Sequence, residues 1–132
     1  MRIAVTLAGL AVFFTAGATA SVPPPDLYAW ARIDKPIVGV SRAGLTFGRP
    51  VARHLAPGRY RLHVAARSDL AFHLVGPGID RQTPFTADTG APIYRTWSIR
   101  LRHGRYLYSA EGLYAKELRA AGVPVRGAFS VP

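Results

Sequence analysis

The sequence predicts an all-β sandwich, and two observations lead to this fold class. Glycines and prolines interrupt the chain repeatedly and leave segments of roughly 6 to 9 residues, the length of short strands. Several of these segments alternate apolar and polar residues with a period of two. The chain contains no cysteine, so packing alone must hold the domain together. We therefore expect one antiparallel sandwich rather than alternating helices and strands.

The N-terminal residues 1–20 are typical of a secretory signal peptide. Arg2 precedes an apolar run from Ile3 to Phe14, and small residues follow as far as Ala20. We expect cleavage after Ala20 and a secreted or periplasmic protein. The run is shorter than the about 20 residues that a membrane-spanning helix needs, and no second such run follows, so no transmembrane segment is expected after cleavage.

Consecutive prolines at positions 23–25 predict an extended start to the mature chain. Residues 21–36 are accordingly predicted to be an extended, proline-rich leader and linker. Residues 37–132 are predicted to form the sandwich domain. About 112 mature residues suffice for one such domain with its own core, but not for two.

The clearest strand runs from Arg59 to Ala66, because its residues alternate strictly. Its inward residues are predicted to be Tyr60, Leu62 and Val64, and its outward residues Arg59, Arg61 and His63. The following segment has Leu70, Phe72 and Leu74 at inward positions and His73 at an outward one, before a Gly76-Pro77-Gly78 turn.

The remaining strands follow the same pattern. The predicted inward residues are Trp97, Ile99, Leu101, Tyr106, Tyr108, Phe129 and Val131. One segment, Ser109 to Pro124, instead favours a short helix near the C-terminus, with Ser109 as N-cap, Glu111 in the first turn and Gly122 at the end. Whether this segment forms a pocket is left open by the sequence.

The charge of the chain limits its partners. The formal net charge is +10, and all basic residues except Lys35 and Lys116 are arginines. An arginine bias of this kind also arises from base composition, so a solvated outer face is one interpretation. The other is a surface that contacts anionic cell-envelope polymers, formed by Arg59, Arg61, Arg100, Arg102 and Arg105. Nucleic acid is not expected, because the basic residues form no continuous tract.

Five motifs together resemble a known family. They are LAPGRY at 55–60, FHLVGPG at 72–78, TWSIRL at 96–101, GRYLY at 104–108 and RGAFSV at 126–131. In this order they resemble exported cupredoxin-like domains of the plastocyanin and azurin type, over about residues 37–132. The resemblance implies an antiparallel Greek-key β sandwich.

The resemblance also implies where a copper site would lie. Members of the family bind copper through two histidines, a cysteine and often a methionine. The matching positions here are Leu70, Ala110, Leu113 and Val125, and none of these side chains binds metal. The mature chain has neither cysteine nor methionine, so a type 1 site lacks its thiolate. The resemblance therefore implies a domain that has lost its copper site, and no cofactor is expected.

The histidines leave one alternative open. If a hairpin joins their two strands, His63 and His73 lie on neighbouring strands with outward parity. Two imidazoles could then hold a metal ion, so copper binding or electron transfer through a relocated histidine site is the alternative function. Otherwise His73 is an ordinary outward strand residue.

Hydrolytic chemistry finds little support in the sequence. Ser68 and Asp69 lie near His73, but a Ser-Asp pair between two strands is typical of a turn. No catalytic residue is predicted. We expect a non-enzymatic binding or structural module of the cell envelope or extracellular space.

Overall fold

The described part of the chain folds into two facing β-sheets with one helix. A computed structural model describes residues 22–34, 36–44, 51–86 and 90–132, with only the backbone at position 113. The predicted signal peptide at 1–20 and its cleavage after Ala20 lie outside these residues. The described elements are β1 (Asp26–Ala31), β2 (Val38–Ser41), β3 (Gly58–Arg67), β4 (Ala71–Gly76), β5 (Ile79–Gln82), β6 (Pro92–Leu101), β7 (Gly104–Glu111), α1 (Leu113–Ala120) and β8 (Arg126–Val131).

The strands form two sheets of four. Sheet one has the order β2-β1-β3-β6, and sheet two has the order β5-β4-β7-β8. The predicted all-β sandwich with one short helix near the C-terminus is confirmed. One pair departs from the antiparallel expectation, because β1 runs parallel to β3. No helix in the described ranges is long and apolar enough to cross a membrane.

The core lies between the sheets and follows the predicted alternation. The inward residues of β3 and β6 are buried, namely Tyr60, Leu62, Val64, Trp97, Ile99 and Leu101. Sheet two contributes Phe72 and Leu74, which are fully buried. Removing this apolar surface from water is the main driving force for the fold, at about 25 cal/mol per Å².

The predicted leader and linker at 21–36 is wrong for residues 26–31, which form the second strand of sheet one. Leu27 and Ala29 on β1 are buried in the core, and β1 pairs with both β2 and β3. The chain before it is extended, as the prolines require, and the Pro25 carbonyl accepts a hydrogen bond from the Arg61 N–H at 2.9 Å. Proline lacks the donor but keeps the acceptor, so an extended proline segment can lead directly into a strand.

The strands β3 and β4 do not form the hairpin that the sequence analysis considered. A tight turn reverses the chain, with reciprocal backbone hydrogen bonds between Arg67 and Leu70 at 3.2 Å. The chain then enters the other sheet, since β3 belongs to sheet one and β4 to sheet two. The outward residues of β3 and β4 therefore lie on opposite sides of the sandwich.

The helix is shorter than the predicted segment and begins later. Ser109 and Glu111 belong to β7, and the Ser109 hydroxyl donates to the Glu111 carboxylate instead of capping a helix. The helix α1 begins after Gly112, which has no side-chain cap and a positive φ of 120°. At the other end Gly122, with φ 80°, donates to the Arg119 carbonyl at 3.0 Å, so the predicted end at Gly122 agrees with the structure.

Close packing of an aromatic ring against glycine gives a direct test of this fold. A methyl group at Gly76 would overlap the buried ring of Tyr106, whose hydroxyl accepts from the Arg102 N–H and donates to the Pro77 carbonyl. We expect Gly76→Ala to lower the free energy of unfolding by about 1–3 kcal/mol in denaturant titrations.

Gly44→Ala is the matched control, because among the described residues other than its chain neighbours no atom lies within 4 Å of the added methyl group. Its effect should stay within about 0.5 kcal/mol. Equal effects of the two substitutions would contradict the packing of Tyr106 over Gly76.

Candidate functional site

The positions that the resemblance assigns to copper lie together but carry no ligand. Ala110 is paired with Phe72 across β7 and β4, and its N–H donates to the Val125 carbonyl at 2.8 Å. Leu70, Ala110 and Val125 are all buried. The side chain of Leu113 lies outside what the structure describes. This end of sheet two is therefore packed with apolar side chains, none of which can hold a metal ion.

The two candidate histidines cannot share a metal ion. His63 faces outward from sheet one and His73 outward from sheet two, with the core between them. Packed sheets lie about 10 Å apart, so outward side chains are separated by more than that distance. The possibility of a joint His63 and His73 site is wrong because it required both strands in one sheet. No group of three metal-binding side chains occurs among the residues that the structure describes.

Each of these histidines instead has an aspartate partner. His63 Nε2 lies 2.8 Å from the Asp26 carboxylate, and its ring stacks on Tyr28 at a centroid distance of 5.1 Å. His73 Nε2 lies 2.7 Å from the Asp80 carboxylate. Both contacts lie at the protein surface, where an ion pair contributes little to stability.

The Ser68-Asp69 turn has a structural role. The Ser68 hydroxyl accepts from the Ala91 N–H at 3.0 Å. Asp69 forms a two-fold contact with Arg67, with Nε to Oδ1 at 2.8 Å and Nη2 to Oδ2 at 3.0 Å. This hydrogen bonding outweighs the desolvation by burial and lowers the pKa of Asp69 below its ordinary value. The pair stabilises the turn by which the chain passes from sheet one to sheet two.

The five predicted arginines separate into two groups. Arg59 and Arg100 lie directly opposite each other on β3 and β6, and Arg61 follows on the same outer face of sheet one. Arg102 lies just after β6, at the edge where the two sheets meet. Arg105 is on the outer face of sheet two, on the far side of the sandwich. The prediction of one basic face is therefore wrong for Arg105, since β7 lies in the other sheet.

A groove joins this basic face to an arginine that the sequence analysis missed. The groove has a volume of about 240 Å³ and runs between the edge strands β5 and β6, where Arg81, Arg100 and Arg102 line it. The Arg81 guanidinium lies 5.8 Å from the centroid of the Trp97 ring. We call five residues the arginine patch: Arg59, Arg61, Arg81, Arg100 and Arg102. Arg81 lies three residues after Gly78 on the short strand β5, and only the topology brings β5 beside β6.

A second feature of the same outer face was also missed. Ala65 on β3 is paired with Trp30 on β1 and with Tyr94 on β6. Because the Ala65 side chain is small, a cleft of about 440 Å³ lies between Trp30 and Tyr94. Arg32 also lines this cleft. Tyr94 is 69% exposed, although aromatic residues are usually well buried. The sequence signal is Tyr94 at an outward position of an otherwise polar strand face.

The segment Ser109 to Pro124 does contribute to a pocket. Val123 and Pro124, after the helix, line an apolar pocket of about 480 Å³ together with Ile37, Val38 and the Tyr108 ring. Burial raises the pKa of the Tyr108 hydroxyl above its ordinary value of 10.0. This pocket answers the question that the sequence left open about the segment.

The Arg67 and Asp69 contact predicts a pH dependence of stability. The pKa of Asp69 is lowered in the folded protein, so the contact contributes fully well above the ordinary aspartate pKa of about 3.9 and is lost as the pH falls below it. Asp69→Asn should cost about 1 kcal/mol or less at neutral pH, and this cost should shrink as the pH falls through the lowered pKa of Asp69. Denaturant unfolding across this range measures the difference.

The exposed Asp34 provides the control, and Asp34→Asn should follow the wild-type curve throughout. A destabilisation by Asp69→Asn that persisted unchanged in acid would contradict a role for the ionised carboxylate.

Comparisons with known proteins do not assign the chain to a family. No protein-family model, no curated protein and no solved structure matches it. The resemblance to cupredoxin-like domains therefore stays a prediction from the sequence motifs.

Proposed function

We propose that the protein is an exported, non-enzymatic binding module that holds an anionic polymer of the cell envelope against the outer face of sheet one. The observation that carries this proposal is the pair of Arg59 and Arg100. They lie opposite each other on neighbouring strands, and both side chains are exposed. Neither forms an ion pair with any residue in the described parts of the chain.

Two like charges directly opposite each other in a sheet are destabilising. Arg59 and Arg100 therefore cost the folded protein free energy in the absence of a ligand. An anionic group between them would replace the repulsion by charge-assisted hydrogen bonds, which are among the strongest in proteins. The pair is better explained by binding than by stability.

The rest of the arginine patch favours an elongated ligand. Arg61 continues the positive surface along β3, and Arg81 and Arg102 continue it past Arg100 into the groove. Two carboxylates lie close to the patch, and each contacts a histidine, Asp26 with His63 and Asp80 with His73. The local excess of positive charge attracts polyanions and favours their association at low salt.

Two further points support an envelope module. The signal-peptide pattern at residues 1–20 would bring the protein to the anionic polymers of the envelope. Ser68, Asp69 and His73 are the side chains that could suggest a hydrolase, but each contacts a different partner. The Ser68 hydroxyl accepts from the Ala91 N–H, Asp69 contacts Arg67, and His73 contacts Asp80.

The double variant Arg59→Gln/Arg100→Gln tests the proposal. Its affinity for long-chain polyphosphate and for polygalacturonate, measured on a sensor surface at low salt, should fall roughly tenfold. The difference from wild type should shrink as salt is added, because exposed charges are screened.

Arg105→Gln/Arg126→Gln is the matched control, since it removes the same charge from the outer face of sheet two. Its affinity should remain within about twofold of wild type. Equal losses in the two double variants would mean that net charge, and not this face, determines binding, and would refute the proposal.

Without ligand, the double variant Arg59→Gln/Arg100→Gln should also be more stable than the wild type. Removing the repulsion between Arg59 and Arg100 should raise the free energy of unfolding by about 0.2–1 kcal/mol. Denaturant titration measures this gain. A loss of stability instead would show that the arginines support the fold, and it would contradict the argument from repulsion.

A further inference from the structure

The cleft at Ala65 lies on the same outer face as the proposed polymer site, farther along the strands. Ala65 is four residues from Arg61 on β3, which corresponds to about 13 Å. The cleft has a volume of about 440 Å³, which falls within the size range of small-ligand sites. A polymer lying along β3 from the arginine patch would reach this cleft.

The wall formed by Trp30 is held rigidly. Its indole N–H donates to the Pro36 carbonyl at 3.1 Å, and its ring lies over Gly39, where a methyl group would overlap it. The Arg32 guanidinium lies 5.1 Å from the centroid of the same ring. Trp30 is therefore buried beneath its neighbours and shapes the cleft rather than offering a free ring face.

Tyr94 forms the opposite wall and differs from Trp30 in exposure. It is 69% exposed, and no ring in the described part of the chain stacks on it. An aromatic ring that stays in water gives no stability to the fold but offers a flat apolar face with a polar end. Ala65 beside it leaves room for a flat ligand to contact that face.

We propose that this cleft binds a sugar ring of an acidic polysaccharide, with the C–H face of the sugar stacked on Tyr94 and acidic groups farther along the chain on the arginine patch. This inference rests on the proposed function and names the chemical class of its polymer. Arg32 at the cleft provides a guanidinium near the stacked sugar.

A nucleic-acid strand fits this face less well. Proteins that bind single strands present aromatic rings to successive bases. The described outer face of sheet one presents one strongly exposed ring, Tyr94, while Tyr28 is half-buried and stacked with His63. One stacking position followed by a run of arginines favours a polysaccharide, in which charge recurs along the chain.

Tyr94→Ala tests the inference, with oligogalacturonate and polyphosphate as probes. Oligogalacturonate has sugar rings and carboxylates, whereas polyphosphate has charge but no ring. We expect the affinity for oligogalacturonate to fall about tenfold and that for polyphosphate to change less than about twofold. Tyr94→Phe keeps the ring and should retain most of the oligogalacturonate affinity. Leu107→Ala, which shortens a 52% exposed side chain on the outer face of sheet two, should change neither.

The outcomes separate this inference from the proposed function. Unchanged oligogalacturonate affinity in Tyr94→Ala, with the fold intact by denaturant titration, would overturn the sugar cleft and leave the arginine patch standing. Unchanged polyphosphate affinity in Arg59→Gln/Arg100→Gln would overturn the proposed function, and with it the placement of the acidic groups on the arginine patch, whereas a loss of oligogalacturonate affinity in Tyr94→Ala would still locate a sugar at the cleft. A larger effect of Tyr94→Ala on a dT oligonucleotide than on oligogalacturonate would overturn the cleft in favour of single-stranded nucleic acid.

Discussion

The contacts of Phe72 between the two sheets are the interaction on which the rest of the structure depends. Its ring lies 6.3 Å from that of Trp97 in sheet one and 6.0 Å from that of Tyr108 in sheet two. Tyr108 in turn contacts Phe129 at 6.4 Å. Without a disulfide, these contacts and the aliphatic residues around them must hold the sheets together. A rigid interior keeps the outer faces in place, so the side chains there are free to serve binding.

The alternation of residues predicted the faces of the strands but not the sheets to which they belong. A period of two is a local property of a strand, and it correctly placed Leu62 and Leu74 in the core and His63 and His73 on the outer faces. Pairing depends on contacts between distant segments, which no local pattern records. The joint histidine site was wrong for this reason, and so was the assignment of Arg105 to the face of Arg59.

Local signals misled the sequence analysis at two boundaries. The prolines at 23–25 suggested a leader, yet β1 begins at Asp26, directly after them. Ser109 and Glu111 fit a helix start, but cross-strand pairing of β7 with β4 and β8 continues through Ser109. In both places tertiary pairing outweighed a weak local preference. The arginines of β3 and β6 were predicted as surface residues because both strands alternate clearly. Arg81 and Tyr94 could not be assigned to a binding surface from the sequence, because their roles depend on residues that are distant along the chain.

The proposed binding surface is the outer face of sheet one. Its two parts are the arginine patch, where Arg59 and Arg100 face each other, and the cleft between Trp30 and Tyr94. Arg59, Arg100 and Tyr94 are exposed and lie outside the core, whereas Trp30 is buried and packs against Gly39. The apolar end near Ala110 and Val125, in contrast, is part of the packed interior.

The most direct test of this account is a backbone amide NMR titration of the folded protein with oligogalacturonate. We expect the chemical-shift changes to concentrate in β3, β6 and the adjoining part of β1, including the groove beside Arg81. Changes concentrated in β7, β8 or α1, or no changes at concentrations that saturate a sensor surface, would contradict the assignment of binding to the outer face of sheet one.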